Sequence, residues 1–251
     1  MARVPKPLLC MPLLRSPATL SATALRTAWR EAWPDVPAPS VSEHEGALAA
    51  DFGDLMCAVT VLPQPIPGTE VGEAAEASWL WPHALEAIAG YGAHAVVFAQ
   101  DSEDRTATLL ANTRLTAAVL AATGALGVYV GGAGMLVPAE VWRELAATLS
   151  VPAPLWLNVG AVQEGRLRKR LAVYTAGMAQ FGLMDIEVVN SPKRPGDLKA
   201  WVCDLASYLV AEGPVLEDGN TVGAADDERA RVTFAPSSLG RPGLVYRVDQ
   251  G

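Results

Sequence analysis

A glycine-rich run is the one place where the sequence suggests phosphate binding. Gly131-Gly132-Ala133-Gly134 follows an apolar strand-like segment and precedes a helix-like one, and backbone amides in that context can bind an anion. The pattern is incomplete, because Val137 stands where a dinucleotide motif needs its third glycine, and no Lys-Ser or Lys-Thr pair follows Gly134. We therefore expect a tight turn beside a packed helix, with phosphate binding as the alternative.

Histidine chemistry is equally sparse. His44, His83 and His94 are the three histidines, and none has a second ligand-type residue at metal-binding spacing. His94 begins the apolar segment AHAVVFA, and Asp101 follows its far end, so the two form a conceivable acid-base pair. A core histidine bonded to the backbone is the simpler interpretation. A small-ligand site, if present, would comprise His94, Asp101, Gly131, Gly132 and Gly134.

Composition excludes several classes of protein. The net charge of -8 and the pI near 4.9 argue against nucleic-acid binding, which needs a surplus of Lys and Arg. Cys10, Cys57 and Cys203 are odd in number and contain no CxxC pair, so we predict neither a disulfide framework nor a cysteine-rich zinc site. Because the three histidines are isolated as well, we expect no metal, and we expect no cofactor. A reducing cytoplasm fits these cysteines best.

No segment approaches the ~18 uninterrupted apolar residues that a membrane span requires. The apolar run Leu8 to Leu14 is interrupted by Pro12 and followed by Arg15, so we interpret it as a buried strand and not as a signal peptide.

Carboxylates are concentrated in a turn-rich segment near the C-terminus. We call these residues the acidic rim: Glu217, Asp218, Asp226, Asp227 and Glu228. A basic cluster around Arg166 to Arg170 balances them. Both are either solvated surface or, for the acidic rim, a docking surface for a basic protein.

Hydrophobic patterning indicates an α+β protein of two halves, Met1 to Ser150 and Val151 to Gly251. In the first half, the predicted strands and helices are Leu8 to Leu14, Ser21 to Trp33, a hairpin of Ala47 to Phe52 with Leu55 to Leu62, Pro82 to Ala89, Ala93 to Ala99, Ser102 to Gly124, Leu126 to Val130 and Pro138 to Leu149. The second half is predicted to contain a hairpin of Leu155 to Val162 with Leu167 to Thr175, a strand Asp185 to Val189, a helix ending at Gly213, and strands Val232 to Ala235 and Leu244 to Val248.

The segment YTAGMAQFGLMDIEVV, Tyr174 to Val189, places Gly177, Phe181 and Gly182 between two strand-like ends, and such a break re-aims the backbone. The buried face of the following helix is predicted at Leu198, Trp201, Val202, Leu205 and Leu209.

This segment, together with LEDGNTV at Leu216 to Val222, resembles the bacterial family catalogued as domain of unknown function forty-two sixty-one. PQPIP at Pro63 to Pro67 and GVYVGGAG are similar to the N-terminal portion found with that domain. The resemblance implies no established activity. By analogy with small acidic relatives encoded beside secretion-system or toxin genes, it suggests an immunity-like or accessory role.

We interpret the chain as a cytoplasmic, non-catalytic module that binds a basic protein partner through an acidic surface. The first alternative is an enzyme or small-ligand-binding protein that uses Gly131 to Gly134 near His94. The second is a structural subunit of a homo-oligomer.

Overall fold

A computed structural model describes residues 9–100, 104–164, 170–223 and 229–250. It confirms the α+β class, with helices packed on one antiparallel and one mixed sheet. The chain divides into two compact units, an N-terminal unit, Pro7–Trp156, and a C-terminal unit that begins at Leu157.

In the N-terminal unit the strands are β1 (Leu9–Leu14), β2 (Ser40–His44), β3 (Ala47–Asp51), β4 (Met56–Leu62), β5 (Ala93–Ala99), β6 (Gly127–Val130) and β7 (Met135–Pro138). The helices are α1 (Ala22–Ala32), α2 (Glu70–Ala77), α3 (Ala84–Ala87), α4 (Arg105–Thr123) and α5 (Ala139–Thr148). The strands form a seven-stranded antiparallel sheet in the order β2-β3-β4-β5-β1-β6-β7, so the apolar β5 is central, as its sequence indicates.

Helices cover both faces of this sheet. On one face, Leu13 of β1 and Tyr129 of β6 pack with Val71 of α2 and Ala84 of α3. Cys10, three positions from Leu13 and hence on the other face, lies beside Thr116 of α4. The two core layers therefore share β1.

The edge strand β7 is fully buried, and the Leu136 N–H donates to Ser78 Oγ at 2.5 Å instead of to a strand. Because β6 lies on the other side of β7, this bond occupies the outer side of the sheet.

The buried face of α4 includes polar groups that form hydrogen bonds with neighbouring segments. Asn112 Nδ2 donates to Val97 O at 3.4 Å, and Trp142 Nε1 donates to Thr113 O at 3.1 Å. Trp156 Nε1 donates to Thr113 Oγ1 at 2.7 Å, which holds the segment after α5 against the N-terminal unit. The proposed division of the chain after Ser150 stays a prediction.

The C-terminal unit contains β8 (Asn158–Glu164), β9 (Arg170–Ala176), β10 (Asp185–Val189), α6 (Pro195–Glu212), β11 (Thr221–Val222), β12 (Ala230–Pro236) and β13 (Leu244–Asp249). Its mixed sheet has the order β11-β12-β13-β10-β9-β8, with β10 and β13 parallel. Ile186 and Val188 of β10 alternate with Asp185 and Glu187, so apolar and acidic side chains occupy opposite faces.

The insert between β9 and β10 is a turn of 3₁₀ helix, Met178–Phe181, and both predicted glycines have left-handed backbone. Gly177 has φ 118° and Gly182 has φ 72°, a region that L side chains rarely adopt. Both glycines of the predicted break therefore have a backbone conformation that favours glycine.

The sequence patterns do not predict three of the strands, β2, β7 and β11, or the helix α2. β2 is a polar edge strand, and the short apolar β7 runs directly into α5, so neither shows an isolated strand pattern.

Candidate binding site

The glycine run joins two antiparallel strands and does not lead into a helix. Val130 ends β6 opposite Met135 of β7, and the N–H groups of Ala133 and Gly134 donate back to Val130 O at 3.2 and 2.9 Å. The prediction that a helix follows Gly134 directly is wrong, because β7 intervenes. The helix N-terminus that would attract a phosphate is therefore not at this turn.

His94 lies away from the glycine turn. His94 pairs with Leu13 of β1, whereas the Gly131 N–H donates to Leu9 O, four residues along the same strand. At a rise of about 3.3 Å per residue, these levels are about 13 Å apart. His94 is 4% exposed, and its Nδ1 is 2.7 Å from Gln64 O, as expected of a core histidine.

Asp101 lies outside the described residues. The described members of the alternative ligand site, His94 with Gly131, Gly132 and Gly134, are therefore not brought together.

The acidic rim is described only at Glu217 and Asp218. Both side chains are exposed, but Asp218 Oδ1 accepts from the Phe234 N–H at 2.7 Å and so links this segment to β12. Asp226, Asp227 and Glu228 lie outside the described residues, as does most of the basic cluster.

Two carboxylates on β10 form polar networks that the sequence analysis missed. Glu187 is 1% exposed and accepts from Ser237 Oγ at 2.6 Å and from the Ser238 N–H at 2.9 Å, with Arg247 Nε 3.7 Å away. Burial alone would raise the pKa of Glu187, but these donors hold it below its ordinary value. The DIE pattern within an apolar strand is the signal that points to it.

At Asp185 the effect of burial on the pKa outweighs that of the hydrogen-bond donors. Its Oδ1 accepts from Thr175 Oγ1 and from the Met178 N–H, each at 3.1 Å, and its Oδ2 is 3.4 Å from Arg241 Nη2. Burial raises the pKa of Asp185, and Arg241 and the other donors offset this only in part. Both carboxylates join strand and loop, and Glu187, which is buried, is inaccessible to a substrate.

A groove runs along α6 in the C-terminal unit, and we call it the α6 groove. It has a volume of about 370 Å³, and its walls are Trp201, Asp204, Leu205 and Tyr208 of α6 with Thr221, Val222 and Gly223 at β11. Tyr208 is 51% exposed. The groove combines two aromatic rings, one carboxylate and the backbone of an edge strand.

The prediction that all five apolar residues of the α6 stripe are buried is wrong for two of them. Leu198, Val202 and Leu209 are buried, whereas Trp201 and Leu205 are only partly buried and line the groove. Residues 201, 205 and 208 are spaced by four and three positions, which places them on one side of the helix. The sequence therefore contains a second stripe beside the buried one.

All three cysteine thiols lie in the protein interior. Burial raises the pKa of Cys10 and Cys57 to about 12 and that of Cys203 to about 11, so all three thiols stay protonated at neutral pH.

The described residues contain no group of three or more His, Cys, Asp or Glu arranged to hold a metal ion. Among the same residues, no helix is long and apolar enough to cross a membrane.

The C-terminal unit is thus a mixed-sheet α+β module with an aromatic groove beside an edge strand. Residues 174–248 match the family described as Domain of unknown function (DUF4261), which confirms the resemblance over this part of the chain. The likeness of the upstream segments stays a prediction. No curated protein and no solved structure matches the chain.

Proposed function

We propose that the C-terminal unit is a non-catalytic protein-binding module whose α6 groove receives an apolar anchor side chain from a basic partner. The observation that supports it is the accessible pair Trp201 and Tyr208, which flank a groove of about 370 Å³. Trp and Tyr dominate binding energy at protein interfaces because they bury large areas with few rotatable bonds.

Asp204 and the edge strand β11 define how the partner would lie. Asp204 is exposed on the groove wall and suits a Lys or Arg next to the apolar anchor. Within the described residues β11 is an edge strand, so an extended segment beside it would form main-chain hydrogen bonds with its outer side.

The net charge of -8 favours association with a basic protein through long-range attraction. In the immunity-like or accessory form of this proposal, binding in a bacterial cytoplasm neutralises or chaperones the partner. The homo-oligomer alternative is a competing proposal that sedimentation of the full chain tests.

A peptide panel tests the groove. Fluorescein-labelled extended peptides carrying a central Leu or Phe flanked by Lys are titrated with the full chain, beside peptides of the same length in which Glu replaces Lys or Ser replaces the anchor. We expect binding only with the apolar anchor and stronger binding with Lys than with Glu.

The variants locate the binding site. Tyr208→Ala should weaken binding about tenfold, equivalent to about 1.4 kcal/mol, and Asp204→Asn should remove the preference for Lys. Glu212→Gln is the matched control, because it makes the same charge change on α6 outside the groove. Equal affinity across the panel, or indifference to both groove variants, would exclude the α6 groove.

A further inference from the structure

The seven-stranded sheet of the N-terminal unit has one face that the described helices cover only in part. α4 packs on the opposite face, where Asn112 donates to Val97 O. On the partly covered face, α2 and α3 pack over Leu13 of β1 and Tyr129 of β6. The rest of this face, over β3, β4, β5 and the start of β1, has apolar side chains at positions that an antiparallel sheet ordinarily gives to polar residues.

The strand register joins these side chains into one surface. Ala58 of β4 lies opposite both Ala49 of β3 and Phe98 of β5, and Phe98 in turn lies opposite Leu9 of β1. Phe98 is 42% exposed, and so is Met56, which precedes Ala58 by two residues and therefore lies on the same face. A contiguous exposed apolar surface usually marks a binding site. We call this one the apolar sheet patch, and its members are Leu9, Met11, Met56, Ala58, Val96 and Phe98.

The size of the apolar sheet patch suits a single helix. Four strands spaced by about 4.8 Å, and the four-residue step from Met56 to Thr60, make it about 14 Å in each direction. The resulting area of about 200 Å² is far below the ~800 Å² that each partner of a stable dimer buries. An α-helix with its side chains is about 10 to 12 Å in diameter, so one helix lying along β4 and β5 would cover the patch.

The borders of the patch are acidic. Asp51 of β3 lies opposite Met56 and hence on the same face, and Asp54 follows in the exposed turn to β4. At the other border, burial raises the pKa of Tyr129, and the nearby Glu70 carboxylate raises it further. The strands β1, β3, β4 and β5 contain no Lys or Arg. Charge complementarity therefore favours a helix with basic side chains along both flanks.

We propose that the apolar sheet patch binds an amphipathic helix of a partner protein, with aliphatic side chains on its inner face and Lys or Arg along both flanks. The inner face packs on Phe98 and Met56, while the basic side chains of one flank approach Asp51 and those of the other approach Glu70. Such a helix adds, on this part of the sheet, the layer that α4 provides on the opposite face. The patch lies on the N-terminal unit, so this proposal holds or fails independently of the α6 groove.

The test uses the full chain, labelled with ¹³C at its methionine methyl groups, and a helical peptide of about 18 residues. The peptide consists of Leu, Ala and Lys, with leucines on one face and lysines on both flanks. Its binding should shift the resonances of Met11 and Met56, assigned with a leucine substitution at each, and leave those of the buried Met135 and Met178 unchanged. A peptide of the same composition in scrambled order, or one with Glu in place of Lys, should bind about tenfold more weakly or less.

Substitutions in the full chain locate the bound helix. Phe98→Ser should weaken binding about tenfold, whereas Leu149→Ser, at a similarly exposed leucine after α5, should not. Asp51→Asn, which keeps an acceptor oxygen, should weaken binding several-fold, and Glu31→Gln on α1, with the same charge change outside the patch, should leave it unchanged. Tyr208→Ala in the α6 groove should also have no effect on this peptide.

Several results would overturn the proposal. They are the absence of a saturable shift at Met11 and Met56, equal affinity for the scrambled peptide, and binding that is lost in Tyr208→Ala but kept in Phe98→Ser. Sedimentation of the full chain adds another, because a dimer that Phe98→Ser dissociates would mean that a second copy covers the patch. If Phe98→Ser fails to fold, the methionine resonances of the wild type and the scrambled peptide still decide.

Discussion

Gly160 of β8 lies opposite Tyr174 of β9, and the tyrosine ring occupies the space where a Cβ of residue 160 would be. The guanidinium of Arg241 covers the same ring, with its Cζ 4.6 Å from the ring centroid. A missing side chain on one strand thereby positions an aromatic ring, and the ring in turn supports the arginine that pairs with Asp185.

Gly160→Ala should therefore destabilise the protein by about 1 to 3 kcal/mol, because the added methyl group forces the Tyr174 ring out of place. Urea unfolding measures the change. Gly196→Ala is the control, since Gly196 lies in the first turn of α6 and, apart from its chain neighbours and the backbone of its own helix, no atom is within 4 Å of the place where its Cβ would be. That substitution should be neutral or stabilising by up to about 1 kcal/mol. Equal effects of the two substitutions would contradict the close contact.

The turn between β9 and β10 makes a second prediction. Gly177→Val and Gly182→Val should each cost about 1 to 3 kcal/mol, because a β-branched residue is strained at φ 118° or 72°. Gly182→Asn should cost less, since asparagine tolerates the left-handed region. Thermal melts of the three variants test this ranking, and unchanged melting temperatures would mean that the turn tolerates any side chain.

Glu187 should make stability depend on acid pH. Its folded pKa lies below its ordinary value of 4.5, so its contribution is complete above pH 4.5 and is lost as the pH falls through the folded pKa. We expect Glu187→Gln to cost roughly 1.5 to 3 kcal/mol at neutral pH, because buried donors lose a charged acceptor. In urea titrations, the difference from wild type should shrink below pH 4.5; a constant difference would show that Glu187 does not titrate with unfolding.

Asp185 should show the opposite trend. Because its folded pKa is raised above 3.8, its contribution is greatest below pH 3.8 and declines as the pH rises through the folded pKa. The stability advantage of wild type over Asp185→Asn should therefore fall with rising pH in the same titrations. If both variants moved in one direction, the assignment of opposite pKa shifts to the two carboxylates would be wrong.

Two substitutions should show which of the described acidic-rim residues contributes to stability. Asp218→Ala should lower the melting temperature by a few degrees because the Phe234 N–H loses its acceptor, whereas Glu217→Ala, with the same charge change, should not. Asp218→Asn keeps an acceptor oxygen and should retain most of the stability. A loss of stability in Glu217→Ala equal to that in Asp218→Ala would remove the distinction.

The sequence predicted most of the fold because its strongest patterns are local. Ser21 caps α1, Gly124 ends α4, and the apolar run at β5 is a central strand, each as expected from residue type and period. β7 could not be predicted, because it is only four residues long and its last residue, Pro138, also suits the start of α5. No turn residue separates the strand from the helix.

The candidate sites were harder to predict, since they depend on which residues meet in three dimensions. The separation of His94 from Gly131 is set by the strand register, and the sequence contains no signal of it. The Trp201, Leu205 and Tyr208 stripe was visible, but only the position of β11 turns it into a groove.

The hydrogen bond from the Leu136 N–H to Ser78 Oγ has a consequence for aggregation. An apolar edge strand such as β7 would ordinarily be a template on which a second chain could add in the manner of amyloid. Ser78 occupies that edge, and the opposite edge of the sheet, β2, presents Ser42, Glu43 and His44. A hydroxyl group thus occupies one edge of the sheet and polar side chains lie along the other, which opposes the addition of a second chain at either end.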